Sequence, residues 1–351
     1  MNHKRIPVAV LGATGTVGQR FVQLLENHPW FEVTVVTGSD RTVGRSYGEG
    51  VNWKLLGDAP ASVRDLVVQP TAPNLDVPVV FSALPTTEAK EYEPQFAAAG
   101  YAVITNTSVY RLAPDVPLLI PELNPEHTDL IATQKANNGW SGFIVASPNC
   151  STTSAILPMK IWHDAFDLTS VIMVTMQAIS GAGYPGVSAM DIMDNVVPYI
   201  GGEDYKLENE PKKLLGQVIA GQMALADLKI SAQANRVPVF DGHLASVSVG
   251  MRHKPTVDEA IATLQRWCPP AICQELPSSP SRLLVYRSEP DRPQPRLDRD
   301  TGDGLVWTVG KVRECDVLDL RYLSLTHNTL RGAASGAVLN GELLVVQGYI
   351  G

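Results

Sequence analysis

A cysteine near the middle of the chain, Cys150, lies in the run Ser147-Pro-Asn-Cys150-Ser-Thr-Thr, where a predicted strand ends and a predicted helix begins. A thiol at a helix N-terminus is stabilised as a thiolate and can act as a nucleophile. An isolated cysteine is also compatible with a buried structural role. The junction therefore makes Cys150 a candidate nucleophile, with the structural role as the alternative.

A second polar cluster, Asn235-Arg236-Val-Pro-Val-Phe-Asp241-Gly-His243, places a histidine after a glycine beside a predicted strand. Imidazole has a reference pKa of about 6.5, which suits both a general acid and a general base. A lone histidine is more often structural, and the sequence alone does not show that His243 meets Cys150. His243 is therefore a candidate acid and base only if the fold pairs it with the thiol.

Three glycines near the start of the chain, Gly12, Gly15 and Gly18, have the spacing GxxGxxG between a predicted strand and a predicted helix. Positions without a side chain let the backbone approach a pyrophosphate, which binds the amides and positive dipole of a helix N-terminus. A structural turn is the alternative, but the placement favours a nucleotide. A nucleotide site, a cysteine and a histidine together point to redox chemistry at the aldehyde level through a thioester.

The run Gly38-Ser39-Asp40-Arg41 follows the second predicted strand, where NAD enzymes usually offer a carboxylate to the ribose. The Ser39 hydroxyl and the Arg41 guanidinium suit a 2′-phosphate, whereas Asp40 would repel it. We therefore predict NADP as the cofactor. The alternative is that Arg41 is an ordinary solvated charge.

The first part of the chain alternates apolar strand patterns with helical ones. Strands are predicted over residues 6–11, 32–37, 77–83, 101–105 and 142–146, with helices after the glycine turn and over 88–99. Parallel strands joined in this way require right-handed crossovers. The pattern predicts an α/β fold whose N-terminal domain is Rossmann-like and doubly wound.

The pattern changes after Cys150. A predicted helix over 151–164 precedes β-rich segments such as 170–179 and 244–251, whose alternation is typical of an antiparallel sheet with one covered face. We predict an α+β domain with a mixed, largely antiparallel sheet. Residues 277–304, crowded with Pro, Arg and Asp, predict a long ordered loop or a subunit contact rather than a core element. Residues 327–346 have helical spacing and small side chains, and we expect them to pack on the first domain.

Composition excludes several classes of protein. The chain has 351 residues, about two domains' worth, and a formal net charge of -8, so no global field favours nucleic acid or anionic lipid. Its four cysteines are widely spaced, which predicts neither a disulfide scaffold nor a metal site and favours a reducing cytoplasm. The start superficially resembles a signal peptide, but its apolar run breaks at Gly12 without a cleavage site. No apolar stretch approaches the roughly 18 residues of a membrane span.

Over essentially its whole length the sequence resembles the aspartate-semialdehyde dehydrogenase family, in particular its archaeal and fungal branch. The blocks that carry the resemblance, in order, are Gly12-Ala-Thr-Gly-Thr-Val-Gly18, Ser147-Pro-Asn-Cys150-Ser-Thr-Thr153, Gln177-Ala-Ile-Ser-Gly-Ala-Gly-Tyr-Pro-Gly186, Gly201-Gly-Glu203, Asn235-Arg-Val-Pro-Val-Phe-Asp-Gly-His243 and His327-Asn-Thr-Leu-Arg-Gly-Ala-Ala334. The resemblance implies an NADP-binding domain over 1–149, completed by a C-terminal helix at 327–351. It also implies a catalytic and dimerisation domain over 150–326 and a homodimer or homotetramer.

The resemblance also implies roles for single residues. Cys150 matches the family nucleophile, His243 the acid/base, and Gln177 the residue that orients the acyl intermediate. Substrate-binding matches are Arg236 for the α-carboxylate, Glu203 for the α-ammonium, and Asn149, Arg111 and Lys206 for the phosphate, the match being weakest at Arg111. The expected cofactor-binding residues are Gly12, Thr14, Gly15, Thr16, Val17, Ser39, Arg41, Ser82, Ser180, Gly181 and Asn328.

The implied reaction is the NADPH-dependent reductive dephosphorylation of L-4-aspartyl phosphate to L-aspartate 4-semialdehyde, which serves lysine, methionine and threonine biosynthesis. One alternative is a malonyl-CoA reductase of the same fold, although such an enzyme needs no clamp for an α-amino acid. A second is a non-catalytic nucleotide-sensing protein that uses Cys150 only structurally. The pair Glu203 and Arg236 favours the amino-acid substrate.

Overall fold

The computed structural model describes residues 5–351, which form two main β-sheets flanked by helices. The first sheet is five-stranded and entirely parallel, in the order β2-β1-β3-β4-β5. Its strands are β1 (Ile6–Leu11), β2 (Phe31–Val36), β3 (Val79–Ser82), β4 (Ala102–Thr105) and β5 (Phe143–Ala146). β3, β4 and β5 are buried along their whole lengths, as a parallel sheet covered on both faces requires.

The second sheet is mixed, with six strands in the order β11-β12-β13-β10-β6-β9. These strands are β6 (Leu168–Gln177), β9 (Lys229–Arg236), β10 (His243–Met251), β11 (Leu284–Arg287), β12 (Trp307–Glu314) and β13 (Leu320–Thr326), while β7 (Gln217–Ile219) and β8 (Gln222–Ala224) form a separate hairpin. The three central pairings are antiparallel and the two outer ones parallel. The α/β class with a parallel first sheet and a largely antiparallel second sheet is confirmed.

The helices are α1 (Thr16–Leu25), α2 (Tyr47–Gly50), α3 (Thr86–Ala98), α4 (Leu130–Asn138), α5 (Cys150–Phe166), α6 (Ala189–Ile192), α7 (Glu203–Leu214), α8 (Val257–Arg266), α9 (Pro295–Asp298) and α10 (Ser335–Val346). α10 lies against the first sheet, where a Cβ added at Gly341 would come within 3.0 Å of Phe81. A single π-helical turn, Leu330–Ala334, precedes α10, so the predicted helix begins later than residue 327. Within residues 5–351, none of the helices is long and apolar enough to cross a membrane.

The prediction that residues 277–304 contain no core element is wrong for part of that segment. β11 pairs in parallel with β12 at the edge of the second sheet, and Leu283 and Leu284 are buried. The run Leu-Leu-Val-Tyr supplies enough apolar surface for one short strand, although proline and arginine surround it. An edge strand needs only one paired neighbour, which is why such a short apolar run suffices.

Candidate active site

Cys150 is the first residue of α5, directly after the turn that leaves β5. Asn149 caps this helix, because its side-chain oxygen accepts hydrogen bonds from the backbone N–H groups of Ser151 (2.8 Å) and Thr152 (3.3 Å). Cys150 as a whole residue is half-buried. Capping therefore presents Cys150 at a defined place at the helix terminus.

The fold brings Cys150 and His243 together across 93 residues of sequence. The thiol Sγ lies 3.2 Å from His243 Nε2, and the backbone N–H of Ala178 donates to Nδ1 of the same ring at 3.0 Å. His243 opens β10 and is fully buried. Burial, with a smaller contribution from the Arg236 charge, lowers the pKa of His243 to about 3, so the ring is neutral near pH 7.

The surroundings of the thiol disfavour its ionisation. Desolvation, reinforced by the Glu203 carboxylate, raises the pKa of Cys150 to about 11, while Arg111 and Arg236 act in the opposite direction. Desolvation thus outweighs the thiolate stabilisation that we expect from a helix N-terminus. At neutral pH the thiol form predominates in this arrangement.

Glu203, the first residue of α7, joins three of the predicted site residues. Its Oε1 accepts hydrogen bonds from Asn149 Nδ2 (3.0 Å) and Lys206 Nζ (2.7 Å). Its Oε2 accepts one from Gln177 Nε2 (3.2 Å), which also donates to Thr175. The Gln177 amide is therefore turned with its NH₂ group toward the carboxylate, which leaves its carbonyl oxygen directed elsewhere.

Arg236 ends β9 opposite Gln177, which ends β6, because the two strands pair in parallel in that register. The guanidinium is buried and donates from Nη1 to the carbonyl oxygen of Ala178 at 2.8 Å. Burial lowers its pKa from the ordinary arginine value, an effect that Cys150 and Glu203 oppose. The site thus holds a buried cation and a buried anion, the two charges that an α-amino acid requires.

Arg111 joins this group through a residue that the sequence analysis did not single out. Its Nη1 donates to Glu210 Oε1 at 3.2 Å, and the other carboxylate oxygen of Glu210 accepts from the backbone N–H of Asn149 at 2.6 Å. Arg111 also donates to the carbonyl oxygen of Asn106 at 2.7 Å. The signal for Glu210 is its spacing on α7, seven residues after Glu203, which places both carboxylates on one face.

The glycine turn between β1 and α1 has the geometry of an anion cradle. Gly12 adopts a φ of +70°, and a Cβ at Gly18 would lie 2.2 Å from the carbonyl oxygen of Gly12. Gly15 differs, because a Cβ there would meet nothing closer than 3.6 Å. No side chain caps α1 at Gly15. The N–H groups at the start of that helix, at Thr16 and Val17, are therefore suited to bind an anion.

The remaining predicted cofactor residues fall into three places. Ser180, Gly181 and Asn328 lie beside the catalytic group: Asn328 Nδ2 donates to Ser180 Oγ at 2.8 Å, and a Cβ at Gly181 would come within 3.0 Å of His243. Thr14 follows Ala13 within the glycine turn, and Ser82 lies at the end of β3, paired with Leu11.

Ser39 and Arg41 are exposed in the turn after β2 and do not contact the catalytic group. In the described part of the chain, no group of three or more histidine, cysteine, aspartate or glutamate side chains is placed to hold a metal ion.

Comparisons with known proteins identify the family to which the chain is similar. Residues 7–131 match the family model for the semialdehyde dehydrogenase NAD-binding domain, and residues 160–331 match that for the semialdehyde dehydrogenase dimerisation domain. The chain is 48% identical to the aspartate-semialdehyde dehydrogenase of Archaeoglobus fulgidus, over 99% of this chain and 100% of that protein. The Trichophyton rubrum enzyme of the same name is 42% identical over 97% of each chain.

Among solved structures, the aspartate-semialdehyde dehydrogenase of Candida albicans with NADP superposes with a TM-score of 0.91 and 39% identity. The match covers 99% of this chain and 100% of that one. The similarity in sequence and in fold therefore extends over both sheets.

Proposed function

The chain belongs to the aspartate-semialdehyde dehydrogenase family, and on that premise we propose that it reduces L-4-aspartyl phosphate to L-aspartate 4-semialdehyde through a thioester on Cys150. The observation that carries this proposal is the 3.2 Å contact between Cys150 Sγ and His243 Nε2 beside the buried charges of Glu203 and Arg236. A nucleophile, a hydrogen-bond donor and a clamp for an amino acid thus occupy one site.

The α-carboxylate and the α-ammonium of the substrate are held by one strand and one helix, β9 and α7. Arg236 binds the α-carboxylate, and Glu203 binds the α-ammonium with support from Gln177. Lys206, Asn149 and Arg111 bind the phosphate, on the side of the site where Glu203 meets Lys206 and Asn149.

The chemistry of the chain's own residues follows from this placement. The Cys150 thiol attacks the acyl carbon and nearby N–H groups stabilise the oxyanion. The S–H proton leaves with the phosphate, which departs as hydrogen phosphate toward Arg111 and Lys206. After reduction of the thioester, the tetrahedral hemithioacetal collapses to aldehyde and sulfur leaves as thiolate, accepting the Nε2–H hydrogen bond of His243. The thiolate then takes a proton from water, so the cycle ends with the thiol beside the same His243 donor with which it began.

NADP fits the open N-terminus of α1, because Gly15 leaves space there and the helix N–H groups lack a side-chain cap. Gly12, Thr14, Gly15, Thr16 and Val17 would hold its pyrophosphate. Ser82 would contact it near the end of β3, Ser39 and Arg41 would hold its 2′-phosphate, and Ser180, Gly181 and Asn328 would line the nicotinamide side. When bound, the reduced cofactor supplies the hydride for the thioester.

We also propose the division into an NADP-binding domain over 1–149, completed by 327–351, and a catalytic and dimerisation domain over 150–326. The match to a dimerisation domain supports an oligomer, and we propose a homodimer or homotetramer. Ile172 and Val174 of β6 are exposed apolar side chains on the second sheet, which supports an interface there. We place the protein in the cytoplasm, acting on small molecules and binding neither nucleic acid nor membranes.

The decisive experiment measures phosphate-dependent reduction of NADP by aspartate semialdehyde, beside NADPH oxidation with malonyl-CoA. We expect activity only in the first assay. Activity only with malonyl-CoA would keep Cys150 and the thioester but remove the assigned roles of Glu203 and Arg236. Inactivity in both, with NADP bound, would favour a nucleotide-sensing protein.

A further inference from the structure

One face of α7 carries four charged side chains at helical spacing, namely Glu203, Lys206, Glu210 and Lys213. The first two belong to the proposed substrate site. The other two are each 1% exposed, although a charged residue on a helix normally faces water. Glu210 and Lys213 therefore need a reason for their burial.

Glu210 connects the nucleophile's helix to the proposed phosphate site. One carboxylate oxygen accepts from the backbone N–H of Asn149, the residue before Cys150, at 2.6 Å. The other accepts from Arg111 Nη1 at 3.2 Å. A single rigid carboxylate thus sets the distance between the start of α5 and a guanidinium on a different segment of the chain.

Lys213 fixes the segment that carries Arg111. Its ammonium donates to the carbonyl oxygens of Arg111 (2.8 Å), Ala113 (2.6 Å) and Val116 (2.6 Å). All three donors of Lys213 are used by these carbonyl groups, so its charge does not form a hydrogen bond with Glu210. The ion pair that Glu210 forms is with Arg111, at 3.2 Å.

Arg111 retains hydrogen-bonding capacity for a ligand. Two of its nitrogen atoms donate to Glu210 and to the carbonyl oxygen of Asn106. Its Nε is buried and has no hydrogen-bond acceptor in the described part of the chain. A buried donor without an acceptor is costly, and an anion's oxygen would satisfy it.

We propose that Glu210 is a positioning residue for the phosphate side of the reaction, an inference that rests on the proposed role of Arg111. Glu210 does not touch the substrate. It holds the Arg111 guanidinium in one orientation relative to Cys150, so that a phosphate bound by Arg111 places the acyl carbon at the sulfur. An arginine side chain without such a partner has several free rotations and loses this alignment.

The test is Glu210→Gln, assayed in the direction that consumes aspartate semialdehyde, NADP and inorganic phosphate. In this variant the amide oxygen takes the shorter contact and accepts from the backbone N–H of Asn149. The amide NH₂ group then faces the Arg111 guanidinium, and no hydrogen bond forms because both groups are donors. We expect KM for phosphate to rise about tenfold, equivalent to about 1.4 kcal/mol, while KM for the semialdehyde and for NADP stays within about twofold.

Glu208→Gln is the matched control. It makes the same exchange two residues earlier on α7. There, among residues 5–351, the carboxylate accepts only from the backbone N–H of Ala232, at 3.2 Å. A glutamine oxygen accepts that bond equally well. We therefore expect all three KM values of this variant to equal those of the wild type.

Arg111→Met and the double variant test whether Glu210 acts through Arg111. If it does, adding Glu210→Gln to Arg111→Met leaves KM for phosphate unchanged, because the partner is already gone. Independent effects that multiply would overturn the inference. If circular dichroism shows that Glu210→Gln does not fold, Glu210→Asp replaces it in the same comparison of single and double variants. This variant keeps the charge but cannot span both partners.

The remaining outcomes separate the two proposals. A wild type without phosphate-dependent activity refutes the proposed function. An active wild type whose Glu210 variants raise KM for phosphate and semialdehyde equally, or for neither, refutes the positioning role and leaves the proposed function intact.

Discussion

The backbone N–H of Ala178 donates a hydrogen bond to Nδ1 of His243 at 3.0 Å, while Nε2 of the same ring lies 3.2 Å from Cys150 Sγ. A backbone N–H can only donate, so Nδ1 must accept and the neutral ring carries its proton on Nε2. If the imidazole were flipped by 180°, carbon atoms would face both the N–H of Ala178 and the sulfur of Cys150. His243 therefore presents a donor to the sulfur and has no lone pair at Nε2 to take the thiol's proton.

The first prediction concerns alkylation of Cys150 by iodoacetamide. With its pKa raised to about 11 and that of His243 lowered to about 3, Cys150 is a thiol and His243 is neutral throughout pH 5–9. The thiolate fraction then grows about tenfold per pH unit between pH 7 and 10. Mass spectrometry of the Cys150 peptide measures this rate, and exposed Cys268 in the same digest controls for the reagent. A plateau with an inflection near pH 6.5 would instead show a thiolate–imidazolium pair.

The second prediction is that Cys150→Ser abolishes turnover but keeps the fold. A hydroxyl replaces the thiol at nearly the same size, and it is a far poorer nucleophile at neutral pH, so kcat should fall by about 10³-fold or more. NADP binding by fluorescence and the thermal unfolding curve should match the wild type. Cys273→Ser, a buried cysteine whose sulfur contacts the carbonyl of Pro121, serves as the control. Substantial activity of Cys150→Ser would remove the assigned nucleophile.

The third prediction is that Arg236→Leu lowers kcat/KM for aspartate semialdehyde by about 10²-fold, the loss of a charge-assisted contact worth about 3 kcal/mol. KM for NADP should not change. Arg252→Leu removes a solvent-exposed arginine whose partner is Asp167, and a surface pair of this kind contributes little. Equal kinetics for Arg236→Leu and Arg252→Leu would exclude Arg236 from the substrate site.

The sequence predicts the helices and strands better than it predicts which residues of different elements come into contact. β1, the glycine turn and α1 follow one another within 20 residues, so local patterns suffice to identify them. Cys150 and His243 are 93 residues apart, and only the pairing of β10 within the second sheet brings the imidazole to the thiol. Local patterns therefore make each residue a candidate, and only the resemblance to a family predicts that the two act together.

Glu210 was missed for a different physical reason. An acidic residue on a charged helix is normally solvated, and its spacing from Glu203 is the one local feature that distinguishes Glu210 from nearby Glu208. Its burial depends on a segment about 100 residues earlier that supplies Arg111. Long-range partners of this kind decide which charges of a helix are buried, and single-helix patterns do not contain them.

The fourth prediction tests the preference for NADP. Arg41 is exposed in the turn after β2, and we propose that it contacts the 2′-phosphate. Arg41→Ala should raise Kd for NADPH by about tenfold and leave Kd for NADH unchanged, because only the former carries that phosphate. Arg64→Ala, which removes another exposed arginine, is the control. Isothermal titration at fixed ionic strength measures both ligands, and equal effects on them would reject the assignment.

The fifth prediction separates two glycines of one turn. A Cβ at Gly18 would lie 2.2 Å from the carbonyl oxygen of Gly12, whereas one at Gly15 would lie 3.6 Å from that atom, at a φ of -76° that alanine adopts readily. Gly18→Ala should therefore destabilise the fold by about 1–3 kcal/mol or more, through overpacking. Gly15→Ala should leave the unfolding midpoint unchanged and weaken NADP binding, because its methyl group occupies the space in front of the α1 N-terminus. Thermal unfolding and NADP titration of both variants distinguish the glycine needed for packing from the glycine needed for binding. Tight NADP binding by Gly15→Ala would exclude this turn as the pyrophosphate site.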